Sequence, residues 1–263
     1  MLAKRTYVVT GVSSGIGAAT ARHIKEHGGR VIGLDRSEPQ SDIALAEFHR
    51  VDLGNPDSID ALAKKVKTRI DGIANVAGAS SASPIDIQFN VNFLGTRYLL
   101  EQLYAGLSER ASVVNVAAGA GMFWRDRIDA LTELLATKDF DEGHLWLERH
   151  PQDSKLSYAR SKEALIMWTL QKAVEWAGSG KRINAVSPGP VETPMLNEFR
   201  RIIGEDVIAS DAERSGRAAT AEDIAPVITF LLRYESAWVH GANIAVDGGF
   251  SASVSLSNDG WAY

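Results

Sequence analysis

Short apolar runs of strand length alternate along this chain with longer amphipathic stretches of helix length. The runs lie at 7–9, 30–34, 48–51, 72–76, 112–116, 182–186 and 243–246. Helix-length stretches lie near 15–28, 57–69, 85–108, 156–178 and 221–233. This order is typical of parallel sheets whose two faces are buried under helices. The pattern therefore predicts an α/β fold, a Rossmann-type doubly wound seven-stranded parallel sheet flanked by helices.

The chain contains no internal repeat, low-complexity tract or long linker, which favours a single domain over residues 1–263. Residues 119–154 are too many for an ordinary loop. This stretch contains Met122-Phe123-Trp124 and a helical-looking part near 145–147. We expect an ordered insertion here that forms a lid over a site.

Composition excludes several kinds of chemistry. The chain has no cysteine, so it has no disulfide, thiol nucleophile, iron–sulfur cluster or cysteine-ligated zinc. Any redox work therefore needs a borrowed cofactor. A formal charge of -5 is spread along the chain rather than gathered in blocks, which disfavours nucleic acid or an anionic membrane as the main partner. A small soluble molecule fits better.

Localisation and metal binding are predicted from absent signals. No apolar run approaches the roughly 18 to 20 residues of a membrane span, and the N-terminus does not have the form of a signal peptide, so we expect a cytoplasmic protein. His144, His150 and His240 do not have the spacing of metal ligands, so we expect no metal site.

A glycine-rich loop follows the first predicted strand and opens the first predicted helix. Glycine in such a loop permits a tight turn and lets the backbone approach a pyrophosphate, which the free N–H groups of the helix start can bind. The loop therefore predicts a dinucleotide site. Its candidate binding residues are Gly11, Ser13, Ser14, Gly15, Ile16 and Gly17.

Asp35 ends the second predicted strand, where its carboxylate can accept hydrogen bonds from both hydroxyls of the adenosine ribose. A 2′-phosphate would be repelled there, which favours NAD over NADP. Arg36 follows immediately and could pair with a 2′-phosphate, so NADP is not excluded. The other interpretation of Arg36 is a solvated loop charge.

Tyr158 and Lys162 begin an apolar helical stretch, and their four-residue spacing puts both side chains on one helix face. An ammonium beside a phenol stabilises the phenolate and lowers its pKa. Tyr158 could then exchange a proton with an alcohol or carbonyl oxygen while a hydride passes to or from a nicotinamide.

Together these motifs resemble the short-chain dehydrogenase/reductase family along essentially the whole chain. Tyr158 and Lys162 match the catalytic pair of that family, and the resemblance implies that Lys162 also binds the nicotinamide ribose. Asn92 matches the active-site asparagine that holds a water in the proton relay. The resemblance implies further cofactor-binding positions at Asp52, Leu53, Asn75, Ala77, Gly78, Pro188, Gly189, Val191 and Thr193.

The long insertion before the tyrosine resembles the group with coniferyl-alcohol dehydrogenases and 3α-hydroxysteroid dehydrogenase/carbonyl reductases. This resemblance implies reversible oxidation of a hydrophobic alcohol, with coniferyl or a related aryl alcohol as first choice and a hydroxysteroid as alternative. It also implies a homodimer or homotetramer, although the insertion lies beside the helices through which the family assembles.

Ala118 departs from the family pattern, since the matching position usually carries a serine that polarises the substrate oxygen. Loss of such a donor commonly costs about a hundred- to a thousandfold in turnover. Three accounts stand open: an impaired enzyme, a hydroxyl supplied from elsewhere, or a non-catalytic dinucleotide-binding protein. Ser112 lies too early on its strand to substitute, and Ser157 points roughly 100° away from Tyr158.

Two further segments have candidate roles at the substrate site. The resemblance implies that residues 196–203 form a flap over the nicotinamide. A second set of side chains could either stack on the substrate or anchor the insertion to the core. This set comprises Met122, Phe123, Trp124 and Trp146.

Overall fold

Seven parallel strands form the single sheet of this computed structural model, which describes residues 2–40 and 42–258. The strands are β1 (Thr6–Thr10), β2 (Arg30–Asp35), β3 (Glu47–Arg50), β4 (Ile70–Asn75), β5 (Leu107–Val116), β6 (Arg182–Pro188) and β7 (Asn243–Val246). Their order across the sheet is β3-β2-β1-β4-β5-β6-β7. The predicted fold class is therefore confirmed. The order reverses between β1 and β4, and ligands of such sheets bind at this reversal, outside the carboxyl ends of the strands.

Helices cover both faces of the sheet. They are α1 (Gly15–Glu26), α2 (Pro56–Ala63), α3 (Ile85–Phe89), α4 (Gly95–Leu103), α5 (Ile128–Leu135), α6 (Phe140–Arg149), α7 (Ser154–Glu175), α8 (Pro194–Ile203), α9 (Glu205–Arg214), α10 (Ala221–Leu232) and α11 (Phe250–Asn258). Two hydrophobic cores result. One lies under α2, α4 and α7, and the other lies under α1 and α10.

The helix predicted over 85–108 is wrong in detail. Its first part is α3, followed by a π-helical turn at Asn90–Leu94 and then α4. Leu107 already belongs to β5, where it pairs with Ile70. Exposed Glu109 and Arg110 interrupt the apolar run of β5, so its beginning was not visible in the pattern.

The helix predicted over 57–69 is too long. It ends at Ala63, because the amides of Lys65 and Val66 both donate to the carbonyl of Leu62 and close the last turn. Helices α9 and α11 were not predicted. Ile208 is the only buried side chain of α9, so that helix has no apolar stripe to reveal it.

Residues 119–154 contain α5 and α6. A hydrogen bond and an ion pair attach this insertion to α4 and α7. The guanidinium of Arg97 on α4 donates to the carbonyl of Thr137 at 2.8 Å. Arg127 forms an ion pair of 3.1 Å with buried Glu163 on α7. These contacts join the insertion to the outer faces of α4 and α7.

Among residues 2–40 and 42–258, no helix combines the length and the apolar character that crossing a bilayer requires. The same ranges contain no group of three His, Cys, Asp or Glu side chains arranged to hold a metal ion.

Candidate active site

The glycine-rich loop between β1 and α1 is tightly packed at each glycine. Gly11 has φ +71°, and a Cβ there would lie 2.9 Å from the backbone nitrogen of Ala77. A Cβ on Gly17 would lie 2.0 Å from the carbonyl oxygen of Gly11. These approaches require glycine and keep the loop close to the end of β4.

The start of α1 has the properties of an anion site. Ser14 is its N-cap but makes no side-chain capping bond, and the first turn contains no acidic residue. The N–H groups around Gly15 and Ile16 thus meet no capping side chain or carboxylate of that turn, and a helix start attracts negative charge. This donor set fits the pyrophosphate of a dinucleotide.

Asp35 at the end of β2 is held by the same loop. Its Oδ2 accepts from the backbone N–H of Ser13 at 3.0 Å and from the Ser13 hydroxyl at 2.7 Å. Its Oδ1 accepts from the backbone N–H of Ser37 at 3.0 Å. Arg36 is exposed beside it. The carboxylate is therefore fixed in position beside the loop.

The carboxyl end of β4 is fixed by polar contacts to its neighbours. The hydroxyl of Thr10 accepts from the N–H groups of Val76 and Ala77 at 2.9 and 3.0 Å. Asn75 donates from Nδ2 to Oδ1 of Asn115 on β5. Its side chain thus serves to join two strands, and it is the backbone after it that borders the cleft.

Asp52 and Leu53 follow β3 at the same end of the sheet. Oδ1 of Asp52 accepts from the N–H of Gly54 at 2.8 Å, and Leu53 is buried. A Cβ on Gly95 would lie 1.9 Å from the Leu53 carbonyl oxygen. The π-helical turn thus packs directly against residues 52–53, which the sequence did not indicate.

Tyr158 and Lys162 share one face of α7. The Lys162 ammonium lies 5.8 Å from the centre of the Tyr158 ring and donates to the carbonyl of Val116 at 2.9 Å. Burial lowers the pKa of Lys162 to about 8 and raises the pKa of Tyr158 above its ordinary value of 10.0. Burial thus opposes the charged form of each group, and phenolate formation needs added positive charge.

Asn92 lies in the π-helical turn, and its side-chain amide makes three hydrogen bonds. Its Oδ1 accepts from the N–H of Ala79, and its Nδ2 donates to the carbonyl of Ala79 and to the hydroxyl of Ser161. The amide fixes the segment after β4 and touches α7 one residue before Lys162. Both hydrogens of the amide are thus engaged, and its side chain cannot donate to a relay water.

Ala118 follows β5 and is buried. A Cβ on neighbouring Gly119 would lie 3.8 Å from the ring of Phe250 on α11, so that helix borders this part of the cleft. The two nearby serines are engaged elsewhere: Ser157 donates to Gln88, and Ser112 donates to the carbonyl of Leu231. Neither hydroxyl is placed to replace the missing donor.

Residues 188–195 run from β6 across the cleft. A Cβ on Gly189 would lie 3.1 Å from Cβ of Asp247, and Val191 is buried in a parallel bridge to Ala219. Pro188 ends β6. Thr193 packs against the glycine loop, because a Cβ on Gly15 would lie 2.9 Å from its Cγ2. The segment after β6 and the glycine-rich loop, at opposite ends of the predicted cofactor cleft, therefore pack against each other.

Helix α8 lies over the catalytic face. The ring of Phe199 meets the ring of Tyr158 edge-on with centroids 4.9 Å apart. A Cβ on Gly78 would lie 3.5 Å from the Lys162 ammonium and 3.6 Å from Met195 Cε. Glu198 accepts a hydrogen bond from the Ser80 hydroxyl. The sequence indicated a flap at 196–203, but it carried no signal for these partners.

The aromatic residues of the insertion divide between core and surface. Trp146 is buried, stacks on His150 and packs against Phe89. Trp124 packs against the same core, whereas Phe123 is exposed. The structure thus places Trp146 in the core and gives the ring contact with the catalytic tyrosine to Phe199.

Comparisons with known proteins agree with this geometry. Residues 5–128 match the family model described as short chain dehydrogenase, and residues 148–251 match the model described as Enoyl-(Acyl carrier protein) reductase. The chain is 40% identical to the coniferyl-alcohol dehydrogenase of Pseudomonas sp. (strain HR199 / DSM 7063), over 96% of this chain and 98% of that one.

Two further similar proteins are named as hydroxysteroid dehydrogenases. The chain is 29% identical to the 3-alpha-hydroxysteroid dehydrogenase/carbonyl reductase of Comamonas testosteroni, over 93% of this chain and 96% of the relative. A crystal structure of the 3-alpha-hydroxysteroid dehydrogenase from Pseudomonas sp. B-0831 complexed with NADH superposes with a TM-score of 0.80 at 28% identity. The superposition covers 95% and 98% of the two chains. The chain therefore belongs to the short-chain dehydrogenase/reductase family, oxidoreductases that act on CH–OH groups with NAD(P).

Proposed function

We propose that this chain oxidises a hydrophobic aryl allylic alcohol, coniferyl alcohol or a close analogue, to its aldehyde with NAD, and that the reaction is reversible. The observation that carries the proposal is the pairing of Tyr158 and Lys162 on one face of α7, beside the end of β5 and beneath Phe199. The 40% identical relative supports the choice of alcohol.

The dinucleotide would be held by the loop at 11–17, Asp35, the segment 75–78 and the segment 188–193. A bound NAD supplies the hydride acceptor in the oxidative direction. Asp35 supports NAD rather than NADP. Its carboxylate can accept hydrogen bonds from the ribose hydroxyls of NAD, whereas it would repel the 2′-phosphate of NADP. Arg36 then remains a solvated charge.

The protein residues handle the proton. Tyr158 takes the hydroxyl proton of the substrate as phenolate, and Lys162 stabilises that phenolate and donates to the ribose. Burial of both groups opposes their charged forms. An oxidised nicotinamide bound here would supply positive charge that favours the phenolate form of Tyr158. Asn92 holds the relay water as an acceptor in the π-helical turn, since both hydrogens of its side-chain amide are engaged.

Ala118 leaves the substrate oxygen without the donor that the resemblance implies. We infer an impaired rather than an inactive enzyme, because Tyr158, Lys162 and Asn92 are all retained. The expected loss is about a hundred- to a thousandfold in turnover. A hydroxysteroid is the second candidate substrate, supported by the Comamonas testosteroni relative and the NADH complex.

The test is alcohol-dependent reduction of NAD by the natural chain, by Ala118→Ser and by Tyr158→Phe, on coniferyl alcohol and on a 3α-hydroxysteroid. We expect a gain of at least about tenfold from the serine with the aryl alcohol, and no turnover with phenylalanine. NAD binding measured by calorimetry, without turnover of either alcohol by any variant, would favour a protein that only binds dinucleotide.

We further propose one domain throughout and a homodimer or homotetramer in solution. The insertion packs on α4 through Arg97 and on α7 through Glu163, so it occupies part of the helix faces that the resemblance assigns to assembly. Light scattering on the purified chain tests the oligomer, and a monomer at micromolar concentration would contradict it.

A further inference from the structure

Glu198 on α8 is a carboxylate with one occupied and one open oxygen. Its Oε2 accepts from the hydroxyl of Ser80, and Ser80 is itself buried. The Ser80 oxygen also accepts from the N–H of Ala82 at 3.2 Å, which directs its hydrogen toward Glu198. No described residue forms a hydrogen bond or ion pair with Oε1 of Glu198, and the side chain remains exposed. The carboxylate is thus held in place, and its Oε1 can accept a further hydrogen bond.

This carboxylate belongs to the helix that covers Tyr158. Its neighbour Phe199 contacts the Tyr158 ring at 4.9 Å between centroids. Its partner Ser80 follows Ala79, whose N–H and C=O both bond to Asn92. Glu198 therefore bridges α8 to the segment after β4, at the rim of the cleft that contains Tyr158.

Apolar side chains line the cleft beside this exposed carboxylate. Met195 and Phe199 flank it on α8, and Phe250 borders the other side of the cleft near Gly119. Of the two basic residues on α8, Arg200 is paired with Glu192 at 2.6 Å and with Glu205 at 3.3 Å, and Arg201 is exposed and forms no described ion pair with Glu198. A polar acceptor in an apolar cleft fixes the orientation of a ligand and selects its polar group.

We propose that Glu198 determines specificity by accepting a hydrogen bond from the phenolic hydroxyl of the substrate. An ionised carboxylate accepts but cannot donate, so it favours a hydroxyl over an ether and repels an anion. The substrate class is then an aryl allylic alcohol with a free ring hydroxyl, whose carbinol end faces Tyr158 and whose phenol end faces Glu198. This inference rests on the proposed function for the identity of the reacting end.

The experiment compares two alcohols that differ only in the donor: 4-hydroxy-3-methoxycinnamyl alcohol and its 3,4-dimethoxy analogue. Binding of each to the NAD-loaded protein is measured by calorimetry, and kcat/KM is measured in the Ala118→Ser background. We expect the natural carboxylate to favour the phenol by about tenfold or more in both measurements. In Glu198→Ala the ratio should fall to about one, because the variant binds the phenol more weakly and binds the dimethoxy analogue as before. Glu198→Gln should restore part of the preference through its amide oxygen.

The outcomes separate this inference from the proposed function. A ratio near one in the natural chain, or a ratio that survives in Glu198→Ala, overturns the role of Glu198. An equal loss for both alcohols in Glu198→Ala identifies a purely structural bond to Ser80 and also overturns it. Absence of turnover with the binding ratio intact overturns the catalytic proposal alone. Asp206→Asn, which removes an exposed carboxylate on the neighbouring α9, is the matched control and should leave the ratio unchanged.

Discussion

The ammonium of Lys162 donates a 2.9 Å hydrogen bond to the main-chain carbonyl of Val116, two residues before Ala118. The catalytic face of α7 is thereby tied to the end of β5, where the substrate oxygen is expected. The same burial that makes this bond secure also lowers the pKa of the lysine to about 8. One contact thus connects the position of the catalytic pair to its charge.

Stability should therefore rise between pH 8 and pH 10 in a manner that depends on Lys162. The unfolded lysine titrates near its ordinary pKa of 10.5 and the folded one near 8, so the unfolded chain binds more protons in this window. The free energy of unfolding should rise by about 2 kcal/mol from this group. Urea unfolding at each pH measures it, with Lys162→Met expected to abolish the rise.

The rise in the free energy of unfolding should end near pH 10, because the raised pKa of Tyr158 has the opposite effect on stability. Above that pH the unfolded tyrosine loses its proton first, and stability falls. Lys65→Met, at an exposed lysine, is the control and should keep the rise. An unchanged rise in Lys162→Met would show that the lysine is solvated and ordinary.

Replacing Asp35 should relax the choice of dinucleotide. In Asp35→Ala the ribose loses its acceptor and a 2′-phosphate loses its repulsion, so the ratio of kcat/KM for NADP over NAD should rise by roughly tenfold or more. Adding Arg36→Ala should remove much of that gain, because the guanidinium then no longer meets the phosphate. If Asp35→Ala weakens both dinucleotides equally, the carboxylate serves only to hold Ser13.

Gly95→Ala should be among the most damaging small substitutions in the chain. The added Cβ would lie 1.9 Å from the Leu53 carbonyl, and neither backbone can retreat without moving the π-helical turn. We expect a loss of about 3 kcal/mol in the free energy of unfolding. Gly106→Ala is the matched control, because its nearest neighbour would lie at 3.7 Å. Equal stability of the two variants would contradict the close packing.

The pair of Arg127 and Glu163 anchors the insertion, and Arg127→Met should leave a buried carboxylate without its cation. Glu163 is almost fully buried, with 1% of its side chain exposed, and burial already raises its pKa. We expect a loss of about 3 kcal/mol at pH 7 and a smaller loss at pH 5, where Glu163 takes up a proton more readily. Arg125→Met, on the same turn but exposed, should cost less than about 1 kcal/mol. A loss independent of pH would assign the effect to packing alone.

The sequence predicted those features that depend on local spacing. The five inner strands are largely buried apolar runs, and the predicted runs located all seven strands. The partly exposed edge strand β7 was found to the residue. The four-residue spacing of Tyr158 and Lys162 predicts that they share one helix face. The positions of the glycines in the first loop follow from the turn that they permit.

Contacts between distant residues could not be predicted in this way. Ser80 and Glu198 are 118 positions apart, and only the folded sheet brings α8 to the end of β4. Phe250 belongs to α11, whose sequence has no apolar period, and Gly95 owes its importance to a carbonyl on another element. Each of these depends on tertiary packing rather than on the local pattern.

The contact between Gly15 and the methyl group of Thr193 links the first and last walls of the dinucleotide cleft. A larger side chain at position 15 would push the second wall outward, and a bulkier group at position 193 would displace the loop that meets the phosphates. Substitutions at these two positions should therefore affect each other, and attempts to re-engineer the coenzyme preference of this scaffold should treat them as a unit.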